Sequence, residues 1–256
     1  MKQIHFILQG KGGVGKSFIA SLLAQYLRDR KKDQVVCFDT DPVNPTLSRY
    51  KQLNVQTIPI LTEHKTIDTS RFDSFIEQLI EQDGLAVIDN GAATFVPLLG
   101  YITEIDLFSI FVDSDIEVFI HVPVVGGQAF EETLTGLGNI CQLGNSFKII
   151  AWLNEFQGDI ERHGKDFTDF KIIQHNKDKV IGQVTLQNRN PDTFGKDIRR
   201  MTEDSITFNQ VLEDKSYTLI PKQRLKQVRD DVYRQLDVIF PPAKVIEMNN
   251  NQTAKA

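Results

Sequence analysis

Gly10-Lys11-Gly12-Gly13-Val14-Gly15-Lys16-Ser17 fits the pattern G-x-x-x-x-G-K-[ST], and its surroundings decide the fold. An apolar run, Ile4 to Leu8, precedes it and reads as a buried strand. Ile19, Leu22, Leu23, Tyr26 and Leu27 follow at the i, i+3, i+4 spacing of one helix face. Strand, glycine loop and helix together make a cradle for a nucleoside phosphate. Glycine lets the backbone curl until successive N–H groups point inward, and the helix N-terminus adds partial positive charge. In such a cradle Lys16 lies along the outer phosphates and the Ser17 hydroxyl holds Mg²⁺. Four fixed positions arise by chance in roughly one chain in a hundred of this length. The flanking strand and helix make a plain glycine turn rarer still.

The same alternation continues along the chain. Val35 to Asp39, Leu85 to Ile88, Val118 to Val125, Phe147 to Leu153 and Val180 to Val184 read as further strands. Phe72, Phe75, Ile76, Leu79 and Ile80 mark a helix with Thr69 or Ser70 as N-cap. Val96 to Val112 is mostly helical, a helix runs from Gly126-Gly127 to about Leu143, and Asp166 to Ile173 is helix-like. Further helices are predicted around Asp197 to Met201, around Phe208 to Leu212 and from Lys222 to Phe240. Strands alternating with helices predict an α/β fold, a mostly parallel central sheet with helices on both faces. One domain is expected over 1–240, with a polar tail, 241–256, expected to be disordered. In such sheets ligands sit at the carboxyl ends of the strands. Gly10, Asp39, Asp89 and Asn154 all follow strand runs, so four distant positions are expected on one edge.

Three of them carry polar side chains suited to nucleotide chemistry. In Asp39-Thr40-Asp41-Pro42 one carboxylate can contact Mg²⁺ through water and a second can position an attacking water. The same string also suits a chain reversal without chemistry. Asp89, closing Leu85-Ala86-Val87-Ile88, has the form of a Walker B residue that orders a water on the magnesium shell, or else caps the next helix. Asn154 can donate and accept, which suits the adenine edge, or it can simply satisfy a turn. The guanine-reading pattern Asn-Lys-x-Asp is missing: Asn176-Lys177-Asp178-Lys179 ends on the wrong charge. ATP is favoured over GTP.

Composition narrows the function classes. The 256 residues are 41% hydrophobic, enough for one substantial core, and no apolar run is long enough to span a membrane. No secretory signal is read, so a cytoplasmic protein is expected. Cys37 and Cys141 have neither paired spacing nor a metal pattern, and His5 and His121 fall in strand patterns as structural residues. A net charge of −5 argues against a chain coated for nucleic acid. Two local basic groups remain, Lys196, Arg199 and Arg200, and Lys222, Arg224, Lys226 and Arg229, which read first as solvated helix faces.

Lys11-Gly12-Gly13-Val14-Gly15-Lys16-Ser17 has the additional lysine of the deviant Walker A motif. Together with Asp39-Thr40-Asp41-Pro42 and Val87-Ile88-Asp89 it resembles the ParA/MinD (SIMIBI) superfamily of partition and division-positioning ATPases. The string from Leu8 to Phe18 and Asp39-Thr40-Asp41-Pro42-Val43-Asn44 resemble the TraL-type conjugal-transfer ATPases of plasmids, as do Val122 to Gln128 and Thr193 to Ile198. The resemblance implies a P-loop ATPase that forms a homodimer around ATP, with Lys11 reaching the partner's phosphates. It further implies nucleotide contacts from Gly10 through Phe18, with Lys11 and Lys16 on phosphate. Asp41 is then tied to hydrolysis, Ser17, Asp39 and Asp89 to the magnesium shell, and Asn154 to adenine. Position 43 is Val, where partition proteins usually carry Gln, and the last helix does not end as a basic amphipathic anchor.

The expected function is a regulatory ATPase whose dimer binds a protein partner in plasmid transfer or maintenance. A metabolic enzyme resembling dethiobiotin synthetase, a DNA-partition ATPase and a nucleotide-gated binding module are the alternatives. An iron–sulfur reductase is excluded, because Cys37 precedes the Asp39 loop.

Overall fold

The computed structural model describes residues 1–31, 33–162 and 164–241; apart from Pro241, the expected tail lies outside them. The strands are β1 (Gln3–Ile7), β2 (Val35–Asp39), β3 (Gln56–Thr57), β4 (Leu85–Asp89), β5 (Glu117–Val125), β6 (Lys148–Asn154), β7 (Glu161–Arg162), β8 (Lys165–Asp166) and β9 (Val180–Leu186). The helices are α1 (Lys16–Arg30), α2 (Ser70–Glu81), α3 (Phe95–Glu104), α4 (Leu107–Asp113), α5 (Phe130–Cys141), α6 (Lys171–His175), α7 (Lys196–Glu203), α8 (Phe208–Glu213) and α9 (Leu219–Ile239). Seven strands pair in the order β3-β2-β4-β1-β5-β6-β9, every pair parallel, while β7 and β8 form a separate antiparallel hairpin.

Strand parity sorts the core into two layers, because successive side chains point to opposite faces. Ile4, Phe6, Phe38, Ile88, Ile120 and Ile149 pack with α2 through α6 on one face. Ile7, Cys37, Val87, Phe119, Ile150 and Trp152 pack with α1, α7, α8 and α9 on the other. Both faces of the sheet are covered, which is why its strands read as nearly continuous apolar runs. No single helix among the described residues is long and apolar enough to cross a membrane.

One sequence expectation is corrected. Asp166 to Ile173, read as helix-like, begins in the β7–β8 hairpin and becomes α-helical only from Lys171. Thr69 is the N-cap of α2, as one of the two expected candidates, though its side chain makes no capping bond; Asp68 Oδ1 accepts from the Ser70 backbone and hydroxyl.

His5 and His121 are fully buried on the α1 face. Trp152 Nε1 donates to His121 Nδ1 (2.9 Å), and Trp can only donate. The His121 proton therefore sits on Nε2 and is donated to His5 Nδ1 (3.0 Å), leaving His5 Nε2 without a partner. Burial pushes the His5 pKa down to about 3 and that of His121 well below its usual 6.5. Below pH 6.5 the unfolded chain binds these protons and the folded chain does not, so acid favours unfolding. The pair is expected to lower stability by about 2 kcal/mol between pH 6.5 and 5.5, readable as a falling denaturation midpoint in an Asp89→Asn protein, where the buried Asp89 carboxylate no longer offsets it; a flat midpoint there would contradict it.

Candidate functional site

A parallel sheet brings the carboxyl ends of its strands to one edge, and the register makes the alignment close. Asp39 of β2 pairs with Asp89 of β4, Asp89 with Ile7 of β1, and Asn154 of β6 with Val125 of β5. Parity adds a second constraint. Asp39 follows Cys37, Asp89 follows Val87 and Asn154 follows Trp152 by two residues, so all three face the α1 side. The N-terminus of α1 carries Lys16 and Ser17. The expected residues therefore meet around the glycine loop.

Within the loop Gly13 (φ 73°) and Gly15 (φ 92°) adopt the left-handed conformation that a side chain would strain. Lys16 is only 8% exposed, and its Nζ donates to the Lys11 carbonyl at 3.0 Å. Burial lowers the Lys16 pKa, against the opposing pull of the Asp89 and Asp41 carboxylates. Lys11 is half-exposed and forms an ion pair with Glu132 of α5, 2.8 Å from Nζ to Oε2.

The three carboxylates have different surroundings. Asp39 is fully buried, and its oxygens accept the backbone N–H groups of Asp41 and Ser48, each at 3.0 Å. Burial raises its pKa while these amides hold it down. Asp41 Oδ1 accepts from the N–H groups of Val43 and Asn44 at 2.9 Å, so the turn reading of this string holds locally. Its carboxyl lies against Gly91, where a Cβ would come within 2.6 Å of Cγ. Asp89 is 2% exposed, and among the described residues neither of its oxygens has a hydrogen-bond partner. Its burial lifts the pKa to about 7, an effect that the nearby Ser17 hydroxyl and Lys16 offset only in part.

An orphaned buried carboxylate beside a serine at a helix N-terminus fits a hydrated cation. Among the described residues no three His, Cys, Asp or Glu side chains are grouped to hold a metal. A cation here would need its other ligands from phosphate oxygens and water, the habit of Mg²⁺.

Asn154 does less than its residue type allows. Its Nδ2 donates to the Val14 carbonyl at 3.2 Å and its Oδ1 accepts from Phe156 N at 3.2 Å, bracing β6 against the glycine loop. Beside it opens a cavity of about 360 Å³ lined by Gly13, Gly15, Phe18, Phe156, Arg189 and Arg199, among others. This size suits a nucleoside. Phe156, Arg189 and Arg199 were not singled out for this cavity from sequence, because they arrive from separate loops and helices.

Thr40 and Asn90 were also missed. Thr40 Oγ1 donates to Asn90 Oδ1 at 2.9 Å, and Asn90 Nδ2 donates to the carbonyls of Ile88 (3.2 Å) and Ile7 (3.4 Å). These buried bonds join the two carboxylate loops to the strand feeding the glycine loop. A larger cavity, about 750 Å³, lies at the opposite edge of the sheet around Arg28, Asp33 and Asp83, away from the glycine loop.

Four of the seven residues in the basic groups pair with acids. Lys196 pairs with Asp192 (3.3 Å), Arg200 with Asp204 (3.7 Å), Arg224 with Asp197 (2.5 Å) and Arg229 with Asp230 (2.8 Å). Arg189 pairs with Asp231 and stacks over Phe194.

A family model described as the CobQ/CobB/MinD/ParA nucleotide binding domain matches residues 5–226. Two proteins TraL of Escherichia coli are 38% and 39% identical to this chain over 238 residues, 93% of this chain and 98% of each relative. The septum site-determining protein MinD of Pyrococcus horikoshii, complexed with Mg-ADP, has a similar fold at 17% identity and a TM-score of 0.50, covering 96% of this chain and 100% of that one. A ParA family ATPase from Chlorobium tepidum is similar at 16% identity and a TM-score of 0.50, over 89% of this chain and 97% of that one.

Proposed function

This chain belongs to the CobQ/CobB/MinD/ParA nucleotide-binding family, and from that premise we propose that it is a slow Mg²⁺-dependent ATPase acting as a dimeric switch. The observation that carries the reading is Asp89, buried at the foot of a glycine cradle with no hydrogen-bond partner among the described residues. In this reading residues 1–240 form one ATPase domain working in the cytoplasm. Gly10 through Phe18 wrap the phosphates, Lys16 lies along the outer ones, and Ser17, Asp39 and Asp89 hold Mg²⁺ directly or through water. The cation, when bound, neutralises phosphate charge. Asn154 supports the adenine side mainly by bracing the loop. Among the described residues no carboxylate lines the 360 Å³ cavity to accept guanine N–H groups, which favours ATP.

Asp41 positions the attacking water once it leaves the Val43 and Asn44 amides. Lys11 leaves Glu132 to reach the phosphates of a second copy. A cation lent across an interface counts only when both copies are present, so pairing reports the γ-phosphate. The likeness to proteins TraL supports a role in plasmid transfer or maintenance with a protein partner. The paired basic residues give no support to a DNA-coating face.

Light scattering with and without Mg·ATP, together with phosphate release, tests the switch. Wild type is expected to double its mass only with Mg·ATP, and Lys11→Ala to stay monomeric. Asp41→Ala is expected to bind ATP, accumulate the dimer and lose at least about tenfold in turnover. A mass indifferent to ATP in both wild type and Asp41→Ala would count against the switch.

A further inference from the structure

Gln9 stands immediately before the glycine loop, yet its side chain is 1% exposed and turns away from the cradle. Its Nε2 donates to the carbonyl of Pro123 in β5 (2.9 Å) and to that of Thr133 in α5 (3.0 Å). Its Oε1 accepts the backbone N–H of Gly10 at 3.0 Å. One amide thus uses both ends, as a strut between the first residue of the loop and two elements more than a hundred residues distant in sequence.

The facing helix is shaped for it. A Cβ on Gly136 would come within 2.1 Å of Gln9 Oε1 and 2.9 Å of Cδ, so only glycine leaves room for the strut. Thr133, whose carbonyl receives the amide, is itself fully buried and holds the end of β5 by accepting from Val125 N at 3.2 Å. Its neighbour Glu132 is the ion-pair partner of Lys11. Helix α5 therefore grips the chain on both sides of Gly10.

We propose that Gln9 is a positioning residue for nucleotide binding: its buried side chain pins the first amide of the phosphate loop to β5 and α5, so the loop's shape is set from outside the loop. The inference rests on the nucleotide reading given above. Buried polar groups with all their bonds made rigidify what they join. Loosening this one leaves every phosphate-contacting residue in place but costs the order that lets them act together.

The strut is tested first in wild type, without nucleotide. Gly10 is exposed, so its amide exchanges freely with solvent unless the Gln9 bond holds it; slowed exchange by NMR is expected. Gln9→Met keeps length and apolar volume but cannot bond Gly10. It is expected to lose that protection and to weaken Mg·ATP binding about tenfold, with KM moved more than kcat; the two carbonyls that lose its amide also lower the nucleotide-free unfolding midpoint. Gly136→Ala displaces the same side chain from the helix side and is expected to weaken binding similarly, and less than additively when combined with Gln9→Met. Unprotected Gly10 in wild type overturns the proposal whether or not the variants fold. Wild-type affinity in a folded Gln9→Met protein also overturns it. Wild type that fails to bind Mg·ATP while Gly10 is protected overturns the nucleotide reading, and the positioning role with it.

Discussion

Lys16→Ala is expected to abolish measurable Mg·ATP binding in a calorimetric titration while leaving the fold intact. Lys16 opens α1 with 8% of its surface exposed, and its ammonium rests on the Lys11 carbonyl, inside its own loop. A buried cation with one neutral acceptor is costly to the empty protein, and its lowered pKa records that cost. A phosphate oxygen offers the same ammonium an anionic partner in a site of low dielectric. Charge-assisted bonds of this kind are the strong ones. Their loss is expected to weaken binding at least about a hundredfold, or about 3 kcal/mol. Because the desolvation cost disappears with the side chain, nucleotide-free stability is expected to hold or rise slightly. Lys16→Arg is expected to rescue poorly, since a planar fork does not fit where a point charge does. Affinity within about threefold of wild type for Lys16→Ala would show that the cradle does not bind phosphate.

Asp89→Asn is expected to separate stability from activity. In the folded chain Asp89 keeps its proton up to about pH 7, whereas the unfolded carboxyl titrates near 3.8. The folded protein thus binds the extra proton between these values. The stabilisation is complete below pH 3.8 and is lost as pH rises through 7. With about three pH units between the two states, about 4 kcal/mol opposes folding at alkaline pH. Asn carries no charge to desolvate, though its amide still wants partners at a cost of about 1–3 kcal/mol. The nucleotide-free variant is expected to gain about 2 kcal/mol at pH 8 in denaturant melts and to lose about 1–2 kcal/mol at pH 4, where the amide cost stands alone. Mg·ATP is expected to stabilise wild type and not the variant, whose turnover falls to background. A variant no more stable than wild type at pH 8, or one that still hydrolyses ATP with Mg²⁺, would refute this account of the carboxylate. The histidine pair acts in the opposite sense, so removing Asp89 is also expected to steepen the loss of stability below pH 6.5.

The glycine loop between β1 and α1, the six longer strands and the strand-end positions of Asp39, Asp89 and Asn154 were all legible in the linear chain. Each rests on local information: a motif, an apolar run, a period of two. Parity then carries those polar residues to one face with no knowledge of the fold beyond its parallel strands. β3 is two residues long, too short for any period, and the β7–β8 hairpin lies next to apolar residues spaced like a helix.

What no reading along the chain could supply is the identity of each residue's neighbours. The order β3-β2-β4-β1-β5-β6-β9 is set by crossovers that pair strands distant in sequence. Asp89 and Asp39 are both strand-end aspartates, yet one has no hydrogen-bond partner among the described residues and the other is held by two backbone amides, a difference made by loop 40–48 folding back. Asn154 became a brace and Gln9 a strut because distant backbone carbonyls lay within reach. Arg224 was spent on Asp197, across two helices. Composition and periodicity determine which residues are buried and at which edge the chemistry lies; the charge state and freedom of each group depend on distances of a few ångströms, which exist only once remote segments have packed.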